Sequence, residues 1–410
     1  MTEPAAGAGP GPAADIRTVL LYAQDHHGLG HINRTLTIAR HLLARFPRCV
    51  AYIATKSPIG GNFELPERCD YIKLPRMLTP CTVWEKGDQE AARQRFRQIR
   101  GQILREAALA LAPDLVLVDH EPLGSKGEFR DGLYALKARR PDTRFVFGLR
   151  DIMDDAERIR AAWRELGVYD ALEELYDGIA VYGSAELFDV AEAYAIPASV
   201  RPKLHYCGYV VRETPTIDPA ELRARLELPR DGPLVVATVG SGFDGYPVLE
   251  AACAAIERLQ ATVPDLHAIL VTGPFMPADQ QAMLRARATP ACGVVSRADI
   301  LPLMGAADAI VSMGGYNSVC EALLVARPLV IVPRETQKVE QRIRAEALAS
   351  HGLARCIHPA ALDGTSLAEA LEWALHCDRL AHTRHVREIV PSLDGAARLT
   401  SYLSRWLGEG

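Results

Sequence analysis

Residues able to move a proton crowd into one short segment, AQDHHGLGHINR (23–34), directly after the apolar run TVLLYAQ (18–24). It holds His26, His27 and His31, with Gly30 and Asn33 beside them. Placing a group on a hydroxyl needs a base to take the hydroxyl's proton, and imidazole titrates near neutrality unaided. A base histidine commonly has a carboxylate to orient it. The run LVLVDH (115–120) ends on Asp119 and His120, at the carboxyl end of another strand, where site residues of such sheets gather. Asp119 could orient one of the histidines or act as the base itself. Asp151, in LRDIMDD, closes the next strand and is a further acceptor-side candidate. Each of these also has a plain reading, as a helix cap, a packed ring or a solvated loop acid.

A second constellation is SMGGYNSVCEAL (312–323). A helix that starts at the end of a parallel strand carries free N–H groups and a partial positive charge. Gly314 and Gly315 let an anion come close, and the N–H groups of Tyr316, Asn317 and Ser318 could hold a phosphate. Ser318 and Glu321 also have the spacing of a capping box, which starts an ordinary helix. Glu321, one turn inside, could accept from both hydroxyls of a ribose. The turn GSGFDG (240–245) offers a second backbone cradle through Gly240, Ser241 and Gly242. After RPLVIVP come Arg334, Glu335, Glu340 and Gln341, polar groups able to read sugar hydroxyls. Together these make one nucleotide-sugar site. No Asp-x-Asp triplet occurs, so helix-end N–H groups and arginine are expected to take the leaving charge, with no metal ligands and no cofactor.

The elements that must position these groups alternate. Short β-rich runs (49–55, 144–150 and 178–183 among them) follow helical stretches such as NRTLTIARHLLARF (33–46). That rhythm implies parallel sheets covered on both faces. At 410 residues the chain suits two domains of about 200 residues each. The expected division is a disordered tail (1–15), a first domain (16–212), a linker (213–232), a second domain (233–395) and a last helical segment (396–410) packing back on the first half. The fold class is α/β, with two Rossmann-like doubly wound halves facing a cleft. Apolar residues make up 49% and the net charge is −5, so overall charge supports neither nucleic-acid binding nor a membrane role. Nine unpatterned cysteines suit the reduced thiols of a cytoplasmic protein. Arg93, Arg97 and Arg100 share one face of EAARQRFRQIRGQILREAA (90–108), expected to be solvated, or else to meet an anionic acceptor or a membrane surface.

The stretch MGGYNSVCEALLVARPLVIVPRETQKVEQRIRAEAL resembles the donor-binding segment of family 28 glycosyltransferases, which include the enzyme adding N-acetylglucosamine to the muramoyl-peptide lipid. GLGHINRTLTIARHLL is similar to the opening Gly-His motif of the same group and of plant-type and antibiotic glycosyltransferases. PDLVLVDHEPLGSKGEF, LRDIMDD and LHYCGYV look like a bacterial set of predicted glycosyltransferases. The resemblance covers about 16–360 and implies the GT-B fold, with donor in the second half and acceptor in the first. It assigns Gly314, Gly315 and the N–H groups after them to the diphosphate, Glu321 to the ribose and Gln341 to the donor sugar. The related enzyme carries a second glutamine where this chain has Glu340. Arg297 matches the loop whose backbone pairs with the base edge, which suits uracil and also thymine. His31 matches the histidine of the Gly-His motif and so ranks first as base, with Asp119 as partner.

The expectation is therefore a metal-independent glycosyltransferase, inverting, that uses a nucleotide sugar (UDP-sugar favoured) and a hydroxyl acceptor, small or lipid-linked. Two rivals share the donor site. A non-hydrolysing nucleotide-sugar 2-epimerase would convert the donor with no acceptor present. A sugar-nucleotide-binding protein without catalysis would leave it intact.

Overall fold

The computed structural model describes residues 16–24, 30–57, 64–76, 86–213, 218–225, 231–335 and 338–408. The tail 1–15 lies outside them. Strands β1 (Arg17–Ala23), β2 (Cys49–Thr55), β3 (Cys69–Lys73), β4 (Leu115–Asp119), β5 (Arg144–Arg150), β6 (Gly178–Tyr182) and β7 (Leu204–Tyr206) form a seven-stranded sheet ordered β3-β2-β1-β4-β5-β6-β7. Strands β8 (Leu234–Thr238), β9 (His267–Val271), β10 (Cys292–Val295), β11 (Ala309–Ser312), β12 (Leu329–Ile331) and β13 (Ala354–Cys356) form a six-stranded sheet ordered β10-β9-β8-β11-β12-β13. Neighbouring strands are parallel throughout.

Central strands such as β4, β6 and β8 are buried along their whole length because helices cover both faces, so they read as unbroken apolar runs. In each sheet the winding direction reverses once, between β1 and β4 and between β8 and β11. A crevice opens outside the strand ends at such a point, and ligands of doubly wound sheets bind there.

A single core runs from the first half into the second. The helix Gly30–Arg45 packs on the helix Gly395–Leu407, Leu36, Leu42, Leu399 and Leu403 belonging to one cluster that continues through Tyr209, Val210 and Tyr316 to Ile310 and Leu329. Tyr402 of that last helix stacks on His205, ring centroids 4.2 Å apart. The two segments that cross between the halves also pair: Tyr209 N donates to Ser392 O at 3.1 Å and Gly395 N to Tyr209 O at 3.0 Å.

The segment 213–232, expected as the linker, contains the helix Pro219–Arg225 where it is described; this helix lies on the helix Ile300–Ala306 of the second half, with Arg223 bonded to Gly232 O. Two expectations need correction. The capping box of Ser318 and Glu321 does not form. The helix starts at Tyr316 because Gly315, in extended geometry (φ −61, ψ 143), is already its N-cap, and no side chain caps it. Arg100 does not join the solvated face of the helix Lys86–Leu111. It turns inward to the fully buried Glu128 carboxylate at 2.7 Å, while Arg93 and Arg97 pair with Glu90.

Candidate active site

In the first sheet, the ends of β1 and β4 bring an imidazole and a carboxylate together. His31 is the second residue of the helix that follows β1, and Asp119 is the last of β4. His31 Nδ1 lies 2.7 Å from Asp119 Oδ2. Arg34, one turn further along the helix, grips the same carboxylate: Nε and Nη2 reach Oδ1 at 3.0 and 2.9 Å, and Nη2 reaches Oδ2 at 2.7 Å. Arg34 Nη2 is also 2.9 Å from His31 Nδ1. A carboxylate only accepts, so we assign the proton to Nδ1, directed at Asp119, which leaves the lone pair on Nε2. Burial raises the Asp119 pKa, but the Arg34 guanidinium and the His31 bond bring it down to about 2. Asp119 is thus ionised at neutral pH and placed to orient the His31 ring. Burial outweighs Asp119 at His31 and, with Arg34 and Arg150, lowers the imidazole to about 4. About a fifth of its side chain remains exposed, so the imidazole is neutral at pH 7 and reachable.

His120 follows directly, its ring 4.8 Å from that of His31. It holds a left-handed backbone (φ 69), which costs a non-glycine residue energy and recurs at functional positions. The ring is buried, its Nδ1 has no partner among the described residues, and burial, then Arg150, pushes its pKa well below the usual range. Gly30 carbonyl accepts from Asn317 across the cleft at 3.4 Å, and Asn33 lines the cavity described below. His26 and His27 lie outside the described residues.

In the second sheet, the glycine turns flank the β8/β11 crevice. Gly314 has φ 78, and a Cβ there would sit 2.8 Å from Ile331. Gly242 has φ 90, and a Cβ would strike Thr272 O. Both glycines are demanded by the fold. Gly315 is different: its φ is ordinary and a Cβ would meet nothing within 4 Å among the described residues beyond its own neighbours. Asn317 and Ser318 sit in the first turn of the helix Tyr316–Val325. Gly240 and Ser241 close the turn after β8, and Ser241 O accepts from Phe275 N. Arg297 is exposed on the loop after β10.

Four expected donor or acceptor groups are engaged within the protein. Glu321 Oε1 accepts from Arg212 Nε at 2.6 Å, and Arg212 also reaches Asp299. Burial, only partly offset by Arg212, raises the Glu321 pKa. Tyr316 crosses to the first half, donating its hydroxyl to Tyr182 O at 3.0 Å. Gln341 Oε1 accepts from Arg334 N at 2.9 Å. Asp151 is buried and pairs with Arg344 at 3.1 Å, tying the halves together instead of facing an acceptor. Glu340 is buried beside that pair.

The arginines Arg34, Arg212 and Arg344 were not singled out from the sequence. Arg34 had a signal, since three residues from His31 puts both on one helix face. Arg212 and Arg344 act through distant partners and had none. A cavity of about 30 Å³, water-sized, remains between Asn33 and Arg34 on one side and Asn317 and Glu321 on the other. Among the described residues no cluster of His, Cys, Asp and Glu is arranged to hold a metal, and no helix is long and apolar enough to cross a membrane.

Two Rossmann-like sheets whose strand ends meet across a cleft define a GT-B protein. Residues 234–387 match the glycosyltransferase family 28 C-terminal domain. The chain is accordingly a GT-B glycosyltransferase resembling family 28. Similar solved structures include CalG4, the calicheamicin glycosyltransferase (19% identity, TM-score 0.67, 96% of this chain and 98% of that one). The glycosyltransferase of kitacinnamycin is alike at 17% identity (TM-score 0.67, 95% and 98%). So is UGT2 of Phytolacca americana, complexed with UDP-2-fluoro-glucose and pterostilbene (13%, TM-score 0.68, 95% and 100%). No curated protein matches the sequence.

Proposed function

We propose that this glycosyltransferase moves a sugar from a nucleotide diphosphate donor, UDP-sugar first among them, to an acceptor hydroxyl, with inversion and without a metal ion. The observation that carries the reading is the opposition of two crevices: the His31–Asp119 pair at one sheet's reversal point, the glycine turn and open helix start at the other's. His31 Nε2 takes the acceptor's proton as its oxygen bonds to the anomeric carbon. The bond from that carbon to the diphosphate breaks, and the nucleoside diphosphate leaves with the electron pair. A single displacement inverts the centre. The N–H groups of Tyr316, Asn317 and Ser318 take the developing charge, as helix starts do for anions. Glu321 holds the ribose hydroxyls, sharing or releasing Arg212. The UDP-sugar named in the Phytolacca americana complex supports this donor class.

The test is a thermal-shift screen of nucleotides and nucleotide sugars, since a ligand of the folded state raises the melting temperature. Nucleoside diphosphate release is then followed with candidate hydroxyl acceptors. The reading expects a stabilising donor and acceptor-dependent release that survives a chelator. Conversion of the donor without acceptor would mean an epimerase, and loss of turnover restored only by Mg²⁺ or Mn²⁺ would overturn the charge assignment.

A further inference from the structure

We propose that Arg34 is a positioning residue through which the donor-binding half completes the base of the other half. Arg34 is buried and holds both oxygens of Asp119, at 2.7–3.0 Å. Its guanidinium lies between two aromatic faces, 5.5 Å from the Tyr182 ring centroid and 5.2 Å from that of Tyr316. Tyr182 ends β6 of the first sheet. Tyr316 is the first helical residue after the Gly314–Gly315 turn of the second. The Tyr316 hydroxyl is pinned at both ends, donating to Tyr182 O and accepting from Val210 N at 3.2 Å. An unbroken line of direct contacts thus joins the glycine turn to the base: turn, Tyr316, Arg34, Asp119, His31.

A desolvated guanidinium over an aromatic face is held by roughly 2 kcal/mol. Here one face belongs to each half. When the turn shifts or the halves part, Arg34 loses the Tyr316 face while keeping Tyr182. The carboxylate it grips is the one that orients His31, so the base is set in place only when the donor half is seated. A plain buried ion pair would give stability alone, with no link between the turn and the imidazole. The inference rests on His31 being the base, and its test separates the two ideas.

The experiment follows the His31 ring titration by NMR in the full chain, assigned by its loss in His31→Gln, with and without saturating UDP. It also measures kcat, the pH–rate profile and UDP affinity. Tyr316→Leu touches neither His31 nor Asp119. It is expected to raise the His31 titration by about half a pH unit or more and to cut kcat about tenfold. Tyr316→Phe keeps the ring and stays near wild type in the titration. Arg34→Met raises the titration further, because a cation beside the imidazole is gone. Arg34→Lys restores charge without the two-pronged grip and recovers the titration more than kcat. If Arg34→Met does not fold, Arg34→Lys and Tyr316→Leu carry the test. Titrations unmoved in both Tyr316→Leu and Arg34→Met, with kcat falling only as far as melting temperature explains, overturn the proposal. So does loss of UDP binding in Arg34→Met, which would make Arg34 a donor ligand. Normal kcat in His31→Ala beside shifted titrations would remove His31 as base and leave the coupling standing.

Discussion

At the residue scale, the chemistry rests on where one proton sits. Asp119 fixes it on His31 Nδ1, and burial keeps the ring neutral to about pH 4. His31→Ala should cut kcat by about 10²–10⁴-fold while leaving donor affinity nearly intact, as steady-state kinetics beside calorimetry would show. The acid limb of the pH–rate profile should fall near pH 4 instead of 6.5. Asp119→Asn removes an interaction that raises the imidazole, so the limb should move lower still, with a smaller loss of kcat than in His31→Ala. Stability follows the same sign. Between 6.5 unfolded and about 4 folded, the unfolded chain binds more protons at His31, so acidification through that window destabilises the fold. Asp119 acts in the same sense lower down, its contribution lost as pH falls from 3.8 towards 2. Melting curves from pH 7.5 to 4.5 should therefore steepen less in His31→Gln than in wild type, and identical slopes would contradict the burial of a neutral imidazole. His31 and Asp119 were legible in the sequence because both sit where a strand hands over to the next element. Their tie to Arg34 was visible only as a helical spacing, and the occupation of the Tyr316 hydroxyl by Tyr182 and Val210, more than a hundred positions away, left no local trace.

At the element scale, the two adjacent glycines have different reasons to be there. Gly314→Ala puts a Cβ into Ile331 at φ 78 and should lower stability by roughly 1–3 kcal/mol, read from denaturant unfolding. Glu321→Ala should weaken nucleotide-sugar binding by about 1–3 kcal/mol, the worth of charge-assisted hydrogen bonds, and unchanged affinity in calorimetry would remove Glu321 from the site. Because no capping box exists, a fall in melting temperature in that variant reflects the lost Arg212 pair and the emptied volume of a buried side chain, not a lost helix cap. The strands around both crevices were legible, since buried parallel strands are unbroken apolar runs. The edge strands β3 and β13 were not. CDYIK is only half buried along its length, and ARC is three residues long, so neither carries an apolar signature. The helix start at Tyr316 agrees with the N–H groups expected there, while the rival capping box at Ser318 failed because a glycine in extended geometry is the cap.

At the scale of the molecule, two sheets are joined by a shared core and by polar ties, several of them at the cleft: Arg344 to Asp151, Tyr316 to Tyr182, Asn317 to Gly30, and Val339 N to Asp154 at 3.0 Å. Arg344→Met strands a buried carboxylate and should cost about 3–5 kcal/mol, seen as a lower denaturant midpoint. The βαβ rhythm announced two doubly wound halves, while the pairing of the two crossing segments depends on contacts between residues nearly two hundred positions apart and could not be read locally. The central claim is that the second half's glycine turn holds the donor's diphosphate. It is tested most directly by titrating UDP calorimetrically into wild type and Gly315→Ala, with melting temperatures measured alongside. No described residue beyond its chain neighbours and its own helix lies within 4 Å of a Cβ at Gly315, so the substitution leaves the described packing unchanged and a bound ligand is what should object to it. The account predicts one UDP per chain in wild type, about tenfold or more weaker binding in Gly315→Ala, and an unchanged melting temperature without ligand. Equal UDP affinity in the two proteins would contradict it.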